Sequence, residues 1–374
     1  MKNIRFLSTL LAFTLLLVSC SSDTLTPDQF IDEAATRFSG RASGISIKVF
    51  TNDEILFEST YGYGNMAEQL EVDEETVFEW GSITRTLVWI SVLQLVEQGE
   101  LDLHTDIGVY LPDDLFLELK YPTTLFHLMT HSAGWPDFSP LGVFFEQNNE
   151  GMLTNGDEGS SLIGNLLRNL EMPPQLFQPG DVSDLNDSFS FTVVLVSYIV
   201  EQVSGMAFHE YVQQNIFHRL DMAHTAILSD SSDNLWVQQQ LARQNCYAAA
   251  DGVVATRVPL FSPIFMLGGA VSTPSDFQRF TAALLPDDSG GSALFERQET
   301  VDLLHNSFDY DPSSETDNAN GIIFQNGQVC HTVSLLIDTN RGMGVVVMTN
   351  QERERFFNRP RWLTEVIDRF AAAS

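Results

Sequence analysis

The chain has 374 residues, 44% of them apolar and 18% charged, with 24 Gly and 14 Pro. That composition is globular and excludes a disordered chain, a collagen and a coiled coil. Nineteen Lys and Arg stand against 50 Asp and Glu, and the net charge of −31 sets nucleic acid aside as a partner and disfavours electrostatic docking on anionic lipid.

Lys2 and Arg5 form a short positive start, Phe6 to Val18 is a mostly apolar run, and the segment ends in Leu17-Val18-Ser19-Cys20. This pattern reads as a secretory signal peptide; the run is short of the ~20 residues a membrane span needs. The Leu-x-Ser-Cys ending resembles the bacterial lipobox. That resemblance implies a signal peptide over 1–19, lipid attachment at Cys20, and a membrane contact made through the anchor in the bacterial cell envelope. Two cysteines then remain, Cys246 and Cys330, too few for a disulfide framework, and whether they pair stays open.

Residues 20–40 read as a tether followed by a helix, with Thr26 as N-cap, Pro27 in the first turn and Phe30, Ile31, Ala34 and Phe38 on one face. Ile45 to Phe50 alternates as a strand, Asn52-Asp53 is turn chemistry, and Ile55-Leu56-Phe57 opens a second strand, a hairpin signal. Segments beginning at Ser82, Leu125, Ser161, Phe191 and Phe208 read helical. The acidic stretch from Asp309 to Gly321 is not an EF-hand loop, because Ser314 and Asn320 occupy the positions that need Gly and Glu. Val333 to Ile337 and Gly344 to Met348 read as strands around a turn at Asn340-Arg341-Gly342, and Trp362 to Ala373 as an amphipathic helix. The spacing therefore predicts an α/β layered fold. Its sheet is built from both chain ends, about 41–81 and 320–374, and a largely helical part, about 82–319, is inserted between them within one domain over 41–374. No His, Cys, Asp or Glu group has metal-ligand spacing, and no cofactor is expected.

The most informative stretch is Phe78-Glu79-Trp80-Gly81-Ser82-Ile83-Thr84-Arg85-Thr86, followed by an apolar helix. Ser82 sits at the helix start, where backbone N–H groups lack partners. On a 100° wheel Thr84, Ser91, Gln94 and Gln98 form a polar stripe. Arg85 falls on the other side among Val88, Trp89 and Val92, so a guanidinium on an apolar face needs a partner or a wet cleft.

These residues resemble those of the serine β-lactamases of the class C kind and the related penicillin-binding proteins and esterases, in which Ser-x-x-Lys opens a buried helix. Leu128-Met129-Thr130-His131-Ser132-Ala133-Gly134 is similar to the family's Leu-x-Thr-His-x-x-Gly segment. Further matches follow in order: Leu95 to Leu103, Tyr110-Leu111-Pro112, Val203-Ser204-Gly205, Leu220-Asp221-Met222 and Val346 to Asn350. The resemblance implies a β-lactamase/transpeptidase-like fold and cofactor-free acyl-serine chemistry at Ser82 on a β-lactam, a D-amino-acid peptide or an ester. A small-molecule or peptidoglycan-related ligand would be the partner.

The departures fall on the reacting groups. Arg85 replaces the family's lysine and is not a competent base, since arginine keeps its proton. The family's Tyr-x-Asn is absent. Counting forward from Pro179-Gly180 places Leu185 and Asp187 there, and counting back from Val203-Ser204-Gly205 places Ser188 and Ser190. At the Lys-Thr-Gly position stand Gln325-Asn326-Gly327, with the glycine kept and the cation gone. Catalysis is therefore expected to be weakened or lost, as in a pseudoenzyme. Asp187, Ser188, Ser190, Gln325 and Gly327 are candidate pocket residues, and Asp184, Asp187, His127 or His331 would be replacement bases in a rebuilt site. The alternative is a non-catalytic ligand-binding or scaffold lipoprotein of the same fold, with Arg85 paired to a carboxylate such as Asp187.

Overall fold

The computed structural model describes residues 25–39, 44–113, 115, 119–135, 161–169, 175–180, 189–228, 231–248, 262–308, 321–352 and 359–373. Helix α1 (Pro27–Ser39) starts where the sequence places it. The Thr26 hydroxyl accepts the Gln29 N–H at 3.3 Å while the Gln29 side chain accepts the Thr26 N–H at 3.1 Å, a reciprocal cap.

Strands β1 (Ile45–Thr51) and β2 (Ile55–Tyr61) form the expected hairpin. Short pieces follow at β3 (Tyr63–Asn65), β4 (Leu70–Glu71), β5 (Phe78–Glu79), β6 (Thr225–Ala226) and β7 (Val271–Ser272). The chain end supplies β8 (Ile322–Gln328), β9 (Thr332–Asp338) and β10 (Met343–Thr349). The main sheet runs β2-β1-β10-β9-β8, antiparallel throughout, with Ile45 opposite Thr349 at its centre. The two chain ends thus build one sheet, and β8 is its edge.

Nine helices beyond α1 occur among the described residues. They are α2 (Thr86–Gln98), α3 (Leu125–Met129), α4 (Leu162–Asn169), α5 (Phe189–Ser204), α6 (Phe208–Val212), α7 (Leu235–Arg243), α8 (Pro274–Ala282), α9 (Gln298–Phe308) and α10 (Pro360–Ala373). The helical reading from Phe208 to Leu220 resolves into α6 and a π-helical turn, Gln213–Phe217. Among the described residues no single helix is long and apolar enough to cross a membrane.

Alternation along the strands creates two cores. Ile45, Ile47, Val49, Leu336, Val345 and Val347 face α1 and α10, whose Ile31, Trp362, Leu363, Val366 and Ile367 close that side. Phe50, Val333, Leu335, Ile337, Val346 and Met348 face the helical part, where α2 is buried from Thr86 to Leu95. The polar stripe of α2 is satisfied inside this core. Thr84 Oγ1 accepts the Ala270 N–H at 3.2 Å, Ser91 Oγ donates to the Leu87 carbonyl at 2.7 Å, and Gln94 Nε2 donates to the Asn215 carbonyl at 3.2 Å.

One cation is held on the helical side of β1. Lys48 is 1% exposed, and its Nζ lies 2.6 Å from Glu58 Oε2, 3.2 Å from Glu74 Oε2 and 3.3 Å from Ser275 Oγ. Both carboxylates are about half exposed. The desolvation cost therefore falls on the lysine alone. Lys48→Met removes the buried charge and leaves two carboxylates that water can reach, so stability should change by no more than ~1 kcal/mol. Glu58→Gln with Glu74→Gln strands the ammonium and should cost about 3–5 kcal/mol. Urea unfolding of the three proteins measures this asymmetry, and equal losses would contradict it.

Candidate active site

Four contacts of Trp80 fix the entry to the Ser82 turn. Trp80 is fully buried, its ring centroid 4.8 Å from that of Phe277 and 4.7 Å from that of Phe280, and its Nε1 donates to Ser272 Oγ at 2.7 Å. The Trp80 N–H donates to the Ala270 carbonyl at 2.8 Å, which continues the β5–β7 pairing. Gly81 then takes a φ of +55°, a left-handed conformation that few side chains tolerate.

The turn from Gly81 to Arg85 is a 3₁₀-helix, and the α-helix begins only at Thr86. A 3₁₀ turn has three residues per turn, so side chains at i and i+3 eclipse. Ser82 and Arg85 are therefore stacked on one side, closer than the α-helical wheel implies. Arg85 is half-buried, and its Nε donates to the Ser82 backbone carbonyl at 3.0 Å. This cation braces the turn that carries the serine.

The edge strand β8 forms the facing wall. A Cβ added to Gly327 would fall within contact distance of the Trp80 carbonyl, and one on Gly81 would collide with the Gln328 backbone nitrogen. The two backbones pack directly on one another. Gln325 Oε1 accepts the Thr86 hydroxyl at 3.0 Å, which ties β8 to the first turn of α2. Asn326 Oδ1 is buried without a hydrogen-bond partner among the described residues.

The tip of the β8–β9 hairpin is docked on β5. Glu79 Oε2 accepts the N–H groups of Cys330 and His331, each at 3.3 Å, and the Glu79 N–H donates to His331 Nδ1 at 2.9 Å. His331 is fully buried. With Nδ1 accepting, its ring proton belongs on Nε2. Through Nδ1 this histidine is a structural link between the hairpin tip and β5. Cys246 and Cys330, left open by the sequence, form a disulfide with a Cα–Cα distance of 5.8 Å.

The segment from Leu128 to Gly134 closes another side. His131 adopts a φ of +53°, with its ring centroid 6.4 Å from that of Trp89 on α2. The Gly134 carbonyl accepts the N–H groups of Leu176 at 2.9 Å and Phe177 at 3.1 Å, and the Ser132 carbonyl accepts the Gly180 N–H at 2.9 Å. Trp135 is core, edge-on to Phe191. His127 is likewise structural. Its Nδ1 accepts the Thr124 N–H at 3.2 Å while its own N–H donates to Thr124 Oγ1 at 3.3 Å, capping α3.

The structure thus brings Ser82, Arg85, Gln325 and Gly327 together. Cys20, Asp184, Asp187 and Ser188 lie outside the described residues, as does the acidic stretch at 309–320; Ser190 is in the first turn of α5, with its side chain outside them. Glu79 is the residue that sequence reasoning passed over, because nothing in the chain order connects it to Cys330 and His331. Among the described residues no cluster of His, Cys, Asp or Glu could hold a metal ion.

A 3₁₀ turn carrying Ser82 thus packs on the backbone of an edge strand, in an antiparallel sheet joined to a helical part. The Beta-lactamase family model matches residues 28–367, and the chain belongs to that family. The chain is similar to the putative penicillin-binding protein PbpX of Bacillus subtilis (strain 168), 24% identical over 267 residues, 70% of this chain and 59% of that protein. It is also similar to esterase EstB of Burkholderia gladioli, 24% identical over 223 residues, 59% of this chain and 55% of that protein. The chain spans a little over half the length of these curated relatives. Among solved structures, EstCE1, a hydrolase with promiscuous acyltransferase activity, superposes with a TM-score of 0.68 at 17% identity, over 92% of this chain and 98% of that one. A penicillin-binding protein from Bacillus halodurans superposes with a TM-score of 0.65 at 21% identity, over 91% and 98%. The fold is β-lactamase/transpeptidase-like.

Two outcomes test this geometry. Gly327→Ala should cost at least ~2 kcal/mol, because neither backbone can yield without shifting the edge strand; chemical denaturation beside the exposed-site control Gly99→Ala, whose Cβ meets nothing within 4 Å, isolates the clash from strain alone. Burial and the neighbouring His104 lower the pKa of His127. Its folded pKa lies below its unfolded value near 6.5, so the unfolded chain takes up the proton first. This contribution to stability is whole above about pH 6.5 and is lost as pH falls through the interval between the two values. The decline in Tm between about pH 7.5 and 5.5 should therefore be shallower in His127→Asn than in the parent.

Proposed function

We propose that this chain is an exported, lipid-anchored member of the Beta-lactamase family in which Ser82 keeps the nucleophile position and acyl transfer is weakened or lost. The observation that carries this reading is the contact between Arg85 and the Ser82 carbonyl at 3.0 Å. A lysine can serve as base when its surroundings lower its pKa, whereas a guanidinium retains its proton throughout the working range. Arg85 is spent on bracing the turn, and Gln325 is spent on Thr86. His127 and His331 each use Nδ1 to accept a backbone N–H. Groups that act as a unit lose most of their effect when one is removed.

The relatives support the substrate class: they include proteins named penicillin-binding protein, esterase and D-aminopeptidase. The ligand would be a β-lactam, a D-amino-acid peptide or an ester held between β8 and α2. The export reading rests on the first twenty residues, with Cys20 as lipid attachment site, and the disulfide accords with an oxidising compartment.

Intact-mass spectrometry of residues 21–374 with a β-lactam and with an activated ester separates the possibilities. The parent should show no stoichiometric adduct, and Arg85→Lys should gain one that vanishes in Ser82→Ala with Arg85→Lys. A stoichiometric adduct in the parent that is lost in Ser82→Ala would sink the weakened-site reading and reveal an active, rebuilt site.

A further inference from the structure

The β8–β9 tip is attached to its surroundings at two points with different chemistry. One is hydrogen-bonded: the Glu79 carboxylate, with its side chain 13% exposed, accepts two consecutive N–H groups from Cys330 and His331, while the Glu79 N–H returns a bond to His331 Nδ1. The other is covalent: Cys330 is joined to Cys246, 84 residues earlier, and both are buried. The segment around Cys246 is itself moored to the end of the central strand β10. Tyr247 donates its N–H to the Asn350 carbonyl at 2.8 Å, and the Glu352 N–H donates to the Tyr247 carbonyl at 2.8 Å.

These attachments converge on one short piece of backbone. Glu79 lies three residues before Ser82, and Cys330 lies three after Gly327. Between them Gly327 and Gln328 touch Trp80 and Gly81. Among the described residues β8 is an edge strand, bonded to β9 alone. Its outer side has no strand to hold it, so its approach to the Ser82 turn depends on what grips its end.

We propose that Glu79, His331 and the Cys246–Cys330 bond are positioning residues, a two-part clamp that sets the spacing between β8 and the Ser82 turn. On the reading above a ligand would lie at that interval, and groups that line a site act only when held in place beforehand. The inference takes Ser82 as the site from the reading above. It requires no acylation there, so the two can fail separately.

Reduction supplies the test, because it breaks the S–S bond without changing the sequence. A water-soluble phosphine takes up oxygen from water as it is oxidised, and both sulfurs leave as thiols, a mass gain that intact-mass measurement confirms; oxidised glutathione then restores the bond by thiol–disulfide exchange. Hydrogen exchange is followed by mass spectrometry in the parent, in the reduced parent, in Cys330→Ser and in Glu79→Gln. Peptides covering 78–86 and 322–331 should lose protection about ten-fold in each altered form, and those covering 362–370 of α10 by less than about two-fold. Reoxidation of the reduced parent should restore the protection. A uniform loss across all peptides would show that the bond and Glu79 add only global stability, and unchanged exchange at 78–86 would show that the tip does not control the serine turn. Either result overturns the proposal. Reduction in place keeps the test valid if Cys330→Ser fails to fold.

Discussion

The approach of two backbones, Trp80–Gly81 on one side and Gly327–Gln328 on the other, is the constraint on which the rest of the site depends. Hydrogen bonding spaces neighbouring strands about 4.8 Å apart in a sheet, and side chains hold stacked layers about 10 Å apart. Two glycines remove that spacing here. The serine turn can then lie against an edge strand rather than a side-chain layer, and main-chain groups, rather than side chains, line the interval. The buried Trp80, gripped by Phe277, Phe280 and Ser272, holds one wall. The sheet holds the other.

This division explains how the family's architecture persists while its reacting groups change. Backbone geometry is specified by Gly81, Gly327 and the aromatic packing behind them, none of which depends on the identity of the residue at 85 or 325. Arg85 and Gln325 have each found a local partner, the Ser82 carbonyl and the Thr86 hydroxyl. Polar side chains facing a partly buried interval must be satisfied by something. Here the side chains at 85 and 325 settle onto the nearest backbone carbonyl and hydroxyl.

Much of this was readable from the chain. Thr26 and Pro27 announced α1, the alternation from Ile45 to Phe50 announced β1, and the pairing of the two ends followed from strands and a helix at both termini. The Ser82 stretch stood out through Gly81 and the out-of-place arginine. Other features were not legible because they arise only in three dimensions. A 3₁₀ turn and an α-helical turn have the same composition, so the closeness of Ser82 and Arg85 was understated. His331 and His127 have side chains suited to proton transfer, and only the folded backbone shows that Nδ1 of each accepts a main-chain N–H. Glu79 and the Cys246–Cys330 link join segments 84 to 252 residues apart, a distance that local patterns cannot register. The short strands β5, β6 and β7 are two residues each, below the length at which alternation carries information.

The pairing of Ile45 with Thr349 has a consequence for the order in which the molecule comes into being. A strand at the start of the domain has its central partner about 300 residues later, so the middle of the sheet cannot form on a growing chain. Contacts of such long range close slowly, because the entropy of the intervening loop is lost before any bond rewards it. The helical part, whose contacts are more local, can take shape while β1 waits. The late strands therefore complete the sheet: β10 pairs with β1, and α10 covers the apolar face they share.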